Sequence, residues 1–200
     1  MIEHWFDMIP DEDSRVSNPL LTSIEDLFGI DHYDLAIGKP IKSWNSDSYL
    51  QSECPEKDGD AEDVLCEHLG VPTFSARLRE ALANAKVATQ DIQYLPVHVF
   101  QSTGEEVEGF AFANVVTRVE ALDHEHCEML DLDESTIDPL TGKPKVTGVW
   151  TAALKQNALV GHDVIRLVEF WSPVFVSERF VEVFSKGNFT GVTFHRVPVR

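Results

Sequence analysis

Basic residues are scarce in this chain. Sixteen Lys and Arg stand against 34 Asp and Glu, giving a formal net charge of −18. That balance argues against nucleic acid and anionic membranes as partners, because both carry charge of the same sign. Cysteine is scarce as well. Cys54, Cys66 and Cys127 are odd in number and follow no disulfide-framework spacing, which fits a reducing compartment. No apolar run approaches the roughly 20 residues of a membrane span. The opening MIEHWFDMIPDED has acids where an export signal has a basic region, so an unexported, cytoplasmic chain is expected.

Catalytic signatures are missing too. Neither GxGxxG nor GxxxxGK[ST] occurs, and there is no GxSxG elbow or HExxH. Two stretches raise a metal question. In DHEHCEMLDLDE, His124, His126 and Cys127 are zinc-ligand types, and CEH adds Cys66 and His68. Only His124 and Cys127 have a usual pair spacing. From Asp131 to Gly142 the chain resembles a calcium loop at Asp131, Asp133 and Ser135. It has Thr136 where the sharp turn needs Gly, and Gly142 where a bidentate acid is needed. Carboxylates are so frequent that no pair stands out as an acid–base couple. The expectation is a protein that is not an enzyme and holds no metal or cofactor.

What the chain does have is concentrated acidity and an internal echo. Residues 1–70 carry net −13 and residues 101–140 net −10, while 71–100 and 141–200 are slightly basic. Such blocks suit a basic partner; acidity that serves only solubility is the plainer reading. The echo pairs FSARLREAL (74–82) with FVSERFVEVF (175–184) at an offset of 102. Ser75 matches Ser177, Arg77 matches Arg179, Leu78 and Leu82 match Phe180 and Phe184, and Pro96-Val97 matches Pro198-Val199. Each copy reads as an apolar run, a Ser that caps a helix, one apolar helix face, a break and an extended segment. Chance resemblance between two common units is the competing explanation, since a solenoid needs at least three. Arg77 and Arg179 read most simply as solvated helix-face charges.

The remaining segments suggest an α+β fold: a mainly antiparallel sheet with short flanking helices and a helical or irregular N-terminal third. Residues 1–73 would form that N-terminal subdomain and 74–200 the main domain. Short helices are predicted in NPLLTSIEDLFGI, capped by Thr22 or Ser23 and ended by Gly29, and in AEDVLCEHLGVP, with Val64 and Leu65 inward. Residues 94–101 read as a strand, QSTGEE as a turn, and VEGFAFANVV as an antiparallel return strand with Phe110, Phe112, Asn114 and Val116 on one face. HDVIRLVEFW reads as a buried strand, and 123–145 as an acidic, turn-rich loop.

Over roughly residues 72–200 the chain resembles a family of bacterial immunity proteins from polymorphic toxin systems, the myxobacterial-type immunity domain formerly of unknown function. The features that carry the resemblance are SARL before a Pro-Val strand, FANV leading into ALD, the IRL strand, VSERF, and the closing FTGVTFHRV. The resemblance implies a non-enzymatic inhibitor that binds a cognate protein toxin. It carries no binding residues with it. A small hydrolase and an acidic nucleic-acid mimic are the alternatives.

The contact residues are therefore expected from charge and exposure. They are Asp123, Glu125, Glu128, Asp131, Asp133 and Glu134, supported by Glu105 and Glu106 at the turn, all facing a toxin with a basic surface. The rival sites are the acidic block from Glu56 to Asp63 and an apolar patch near Trp5 or Trp44.

Overall fold

A computed structural model describes residues 4–11, 30–51, 61–66, 70–128, 131–137, 142–170 and 173–200. The fold is α+β. Its sheets are mainly antiparallel, and three short α-helices accompany them among the described residues.

The echo in the sequence is a duplicated structural unit. In the first copy, β3 (Val64–Cys66) and β4 (Pro72–Ser75) pair antiparallel, followed by helix α2 (Ala76–Ala85) and strand β5 (Ile92–Pro96). In the second copy, β12 (Val164–Leu167) and β13 (Val174–Ser177) pair antiparallel, followed by α3 (Glu178–Lys186) and β14 (Val192–Val197). Each sheet also takes a strand from outside its repeat. β8 (Phe110–Val115) lies between β4 and β5, antiparallel to both. β1 (Trp5–Pro10) lies between β13 and β14 in the same way. Ser75 faces Phe110 and Ser177 faces Trp5, so the two inserted strands occupy equivalent places.

The two Ser residues cap their helices as expected, each hydroxyl accepting from the backbone N–H three residues on. Leu78, Leu82, Phe180 and Phe184 are buried. They join Phe74, Val176, Met8 and Val192 in one shared core between the helices and both sheets. Both helices end the same way. Lys86 and Asn188, again 102 apart, take left-handed φ values of 54° and 48°. The next residues, Val87 and Phe189, donate to the carbonyls of Leu82 and Phe184. Pro96 ends β5 and Pro198 lies just past β14, both edge strands, which suits a residue with no N–H to donate.

Arg77 and Arg179 are not free helix-face charges. Asp63, 7% exposed, accepts from the Ser75 hydroxyl at 2.7 Å, from Arg77 Nε at 3.2 Å and from the Thr190 N–H at 3.2 Å. Asp163, 8% exposed, accepts from the Ser177 hydroxyl at 2.9 Å, from Arg179 Nη1 at 3.1 Å and from the Ala88 N–H at 3.0 Å. Thr190 and Ala88 are themselves 102 apart. Each carboxylate therefore binds its own Ser and Arg and a backbone N–H of the other copy. Each Arg also donates across to the other copy, Arg77 to the Gly187 carbonyl and Arg179 to the Lys86 carbonyl. Two buried charges are tolerated because every one of these bonds is charge-assisted and reciprocal.

Several expectations change. AEDVLCEHLG is a strand at Val64–Cys66 rather than a helix, because Val64 and Leu65 pair with Phe74 and Thr73 of β4. Residues 94–101 do not form one strand. The chain breaks at Val97 after Pro96, and β6 (His98–Phe100) joins β2 (Tyr49–Gln51) and β7 (Glu106–Val107) in a separate three-stranded sheet. Within residues 1–73, where helical or irregular chain was expected, the described residues form β1, α1 (His32–Ala36), β2, β3 and the start of β4. The helix expected in NPLLTSIEDLFGI lies outside the described residues, apart from Ile30. Among the described residues no helix is long and apolar enough to cross a membrane.

The outer faces of the two sheets are covered differently. Leu35, Leu50, Val97 and Val99 cover Leu65, Leu95, Phe110 and Phe112 of the first. Leu122, Leu154, Leu159 and Val146 cover Trp5, Ile165, Leu167, Phe175 and Val197 of the second.

Candidate functional site

The covering segment of the second sheet carries most of the expected contact residues. It begins at β9 (Arg118–Val119), which runs parallel to β12. Leu122 bridges to Leu154, and Glu128 bridges to Thr151. The chain then forms a two-stranded antiparallel ribbon of β10 (Asp131–Ile137) and β11 (Pro144–Gly148). From its sequence this stretch is expected to be loop. It is strand because Ile137, Val146 and the threonines favour extended chain, and because the backbone pairs with itself rather than with the body of the protein. Opposite residues of an antiparallel pair share a face, so Leu132 lies beside Val146 and Ile137 beside Pro144. Val146 is buried against the body, and the ribbon's apolar face then runs outward through Leu132, 40% exposed, and Ile137, 57% exposed.

The acids divide into three settings. Asp131 and Glu134 are exposed on β10, and Asp133 is half-buried beside them. Asp133 accepts from the Ser135 hydroxyl at 2.6 Å and its N–H at 3.0 Å, and these bonds with those to Thr136 hold it below the ordinary carboxylate range. Glu128 stands at the base of the ribbon and accepts from the Thr151 hydroxyl at 3.1 Å. Asp123 and Glu125 sit in the turn before it. Burial works against the Asp123 charge, but His126, whose Nδ1 lies 2.8 Å away, and the Glu125 N–H outweigh it and keep Asp123 ionised.

Glu105 and Glu106 are elsewhere. They lie at and after the β6–β7 turn of the three-stranded sheet, where Glu106 is paired with His98 at 2.5 Å. The structure thus gathers Asp123, Glu125, Glu128, Asp131, Asp133 and Glu134 on the covering segment and leaves the other two acids on a different sheet. Of the rival block, residues 56–60 lie outside the described residues, while Asp63 is buried in the core network and offers no surface. The alternative apolar patch fails at Trp5, which is fully buried. Trp44 packs edge-on against Phe112 and donates to the Pro96 carbonyl. Among the described residues the exposed tryptophan is Trp150, 79% exposed at the foot of β11.

Two of the residues suspected of binding metal are already engaged, and His68 lies outside the described residues. His126 is bonded to Asp123, and Cys127 Sγ accepts from the Ala153 N–H at 3.4 Å. Burial raises the Cys127 thiol above its usual value, the opposite of what a nucleophile or thiolate ligand needs. Among the described residues no group of three His, Cys, Asp or Glu could hold a metal ion. The calcium-like reading is overturned by secondary structure, since Asp131 to Thr136 are strand. An open cavity of about 450 Å³ is lined by Asp123, His124, Glu125, Lys143 and Lys155. Burial and the two lysines push His124 below its usual value, which keeps it neutral. This mixed lining presents no matched set of donors for one ligand.

No curated protein matches the chain. A family model does, over residues 10–199, further toward the N-terminus than the resemblance in the sequence had reached. That span covers nearly the whole chain, including both repeats and both covers, and the protein belongs to the Imm11 immunity protein family.

Proposed function

We propose that this protein binds a cognate toxin in the cytoplasm and neutralises it by occupancy rather than by catalysis, with the 123–134 segment as its contact. Membership of the immunity family carries the toxin-neutralising role. The observation that supports the location is the ribbon, which projects Asp131 and Glu134 into solvent while Leu122, Val146, Leu154 and Leu159 anchor the covering segment to the core. Acidic groups on a rigid strand steer a basic partner and hold it in register. A basic cleft, such as a nuclease uses for its substrate, would be complementary to this surface.

The test is co-expression with the product of an adjacent toxin gene. The expected outcome is restored growth and a stoichiometric complex that survives gel filtration. Undiminished toxicity with no complex would overturn the proposal. Loss of toxin by modification or cleavage, with no complex, would replace occupancy with catalysis.

A further inference from the structure

The apolar side chains left in solvent are not scattered. Among the described residues the large exposed ones are Tyr33, Leu132, Ile137, Trp150 and Val160, and three of these five lie on the ribbon or at its foot. Trp150 is the most exposed of them. Its backbone N–H donates to the Glu128 carbonyl at 3.1 Å, and Gly148, two residues before it, faces Asp131. The backbone that carries the exposed indole is therefore fixed to a segment bearing two acids, Glu128 and Asp131. Neither acid has an ion-pair partner among the described residues, and the Glu128 carboxylate accepts from the Thr151 hydroxyl.

An exposed indole gains most from a partner that covers it, since a tryptophan can bury roughly 150–250 Å². Its ring face carries negative charge density and attracts a guanidinium or ammonium group. Unpaired carboxylates on the same segment raise the local concentration of such groups and can take up their N–H donors. Tryptophan and arginine are also the residues that most often dominate interface energies. We propose that Trp150, with Glu128 and Asp131 on the same segment, is the anchor of the toxin contact and receives a cationic side chain, arginine by preference, from the toxin's basic face. This rests on the proposed function and assigns separate tasks within it: the β10 acids set the rate of encounter, and Trp150 sets how long the complex lasts.

The experiment measures association and dissociation rates of purified toxin with wild-type protein and with Trp150→Ala, Trp150→Leu and Trp150→Phe. Circular dichroism confirms the fold, and sedimentation gives the oligomeric state. The expected result is dissociation at least about tenfold faster for both Ala and Leu, with an intermediate value for Phe and an unchanged association rate. A Trp150→Ala variant that binds like wild type would overturn the anchor while leaving the immunity role standing. A Trp150→Leu variant that binds like wild type would overturn the cationic partner. A wild-type dimer dissociated by Trp150→Ala, with toxin binding unchanged, would reassign the face to contact between copies. Wild-type protein that binds no toxin would overturn the proposed function together with this inference.

Discussion

The two halves of this molecule share a core and differ in what covers it. Each has a β-hairpin, a Ser-capped helix, a left-handed turn and an edge strand, and each locks a buried aspartate onto the other half. The first half is closed by residues 30–51 and 97–107, the second by the described residues of 121–159. The exposed acids of the ribbon and the exposed Trp150 all belong to the second cover. A repeat builds its own interior economically, because one solution to packing and capping serves twice. Recognition needs features that are not repeated, and these arise where the halves diverge.

The hardest way to break the comparison is through the shared core. Phe184→Ala removes a buried aromatic and should cost about 3–5 kcal/mol, and Leu82→Ala at the equivalent place about 2–5 kcal/mol. Chemical denaturation of both variants should show a single transition that moves as a whole. Two separable transitions would mean that the halves fold independently.

A smaller effect tests where the halves differ inside the sheets. Thr73 faces Phe112 in the first half, and Phe175, its equivalent, faces Asp7 in the second. Burial raises Asp7 to about 6, with nearby His195 offsetting part of that shift. The raised value means that the folded protein holds this proton more tightly than the unfolded chain does. Stability therefore falls as pH rises from about 4 to about 6 and stays lower above that, by up to about 3 kcal/mol. Asp7→Asn should remove that slope. The variant should gain stability over wild type at pH 7, and the difference should vanish below about pH 4. A difference independent of pH would exclude Asp7 as its source.

The smallest effect sharpens the likeness. Asp63→Asn and Asp163→Asn each weaken one reciprocal network, whose arginine is more than half exposed. Solvent screening limits each loss to about 1–2 kcal/mol. The two losses should agree closely, because each carboxylate serves the same set of groups. Thermal denaturation in which one variant is neutral and the other severe would show that the symmetry of bonds is not a symmetry of energy.

How far the sequence revealed these relations depended on the kind of signal. The repeat was legible because a Ser cap and the apolar face behind it have a fixed spacing that survives divergence. The carboxylate that completes each network was not. Asp63 lies 12 residues before its Ser and Asp163 14 before its own, so no single offset aligns them. Strand β1 was hidden because its partners lie more than 160 residues away and an acid interrupts its apolar residues. The ribbon read as loop because DLDESTI shows no alternation, and a strand with little of either face buried leaves none to see. Acidic residues 123–134 could be singled out by charge, whereas Trp150 could not be told from Trp5 or Trp44, since exposure is a property of the cover and not of the residue.

The most direct test of the central claim, that recognition resides in the unrepeated ribbon, is a charge reversal of Asp131, Asp133 and Glu134 to Lys together. Association with toxin is followed by stopped flow at low and moderate salt, with the fold checked by circular dichroism. The account predicts association at least about tenfold slower at low salt and a flattened or inverted salt dependence, with the fold intact. Wild-type association with an unchanged salt slope would contradict it.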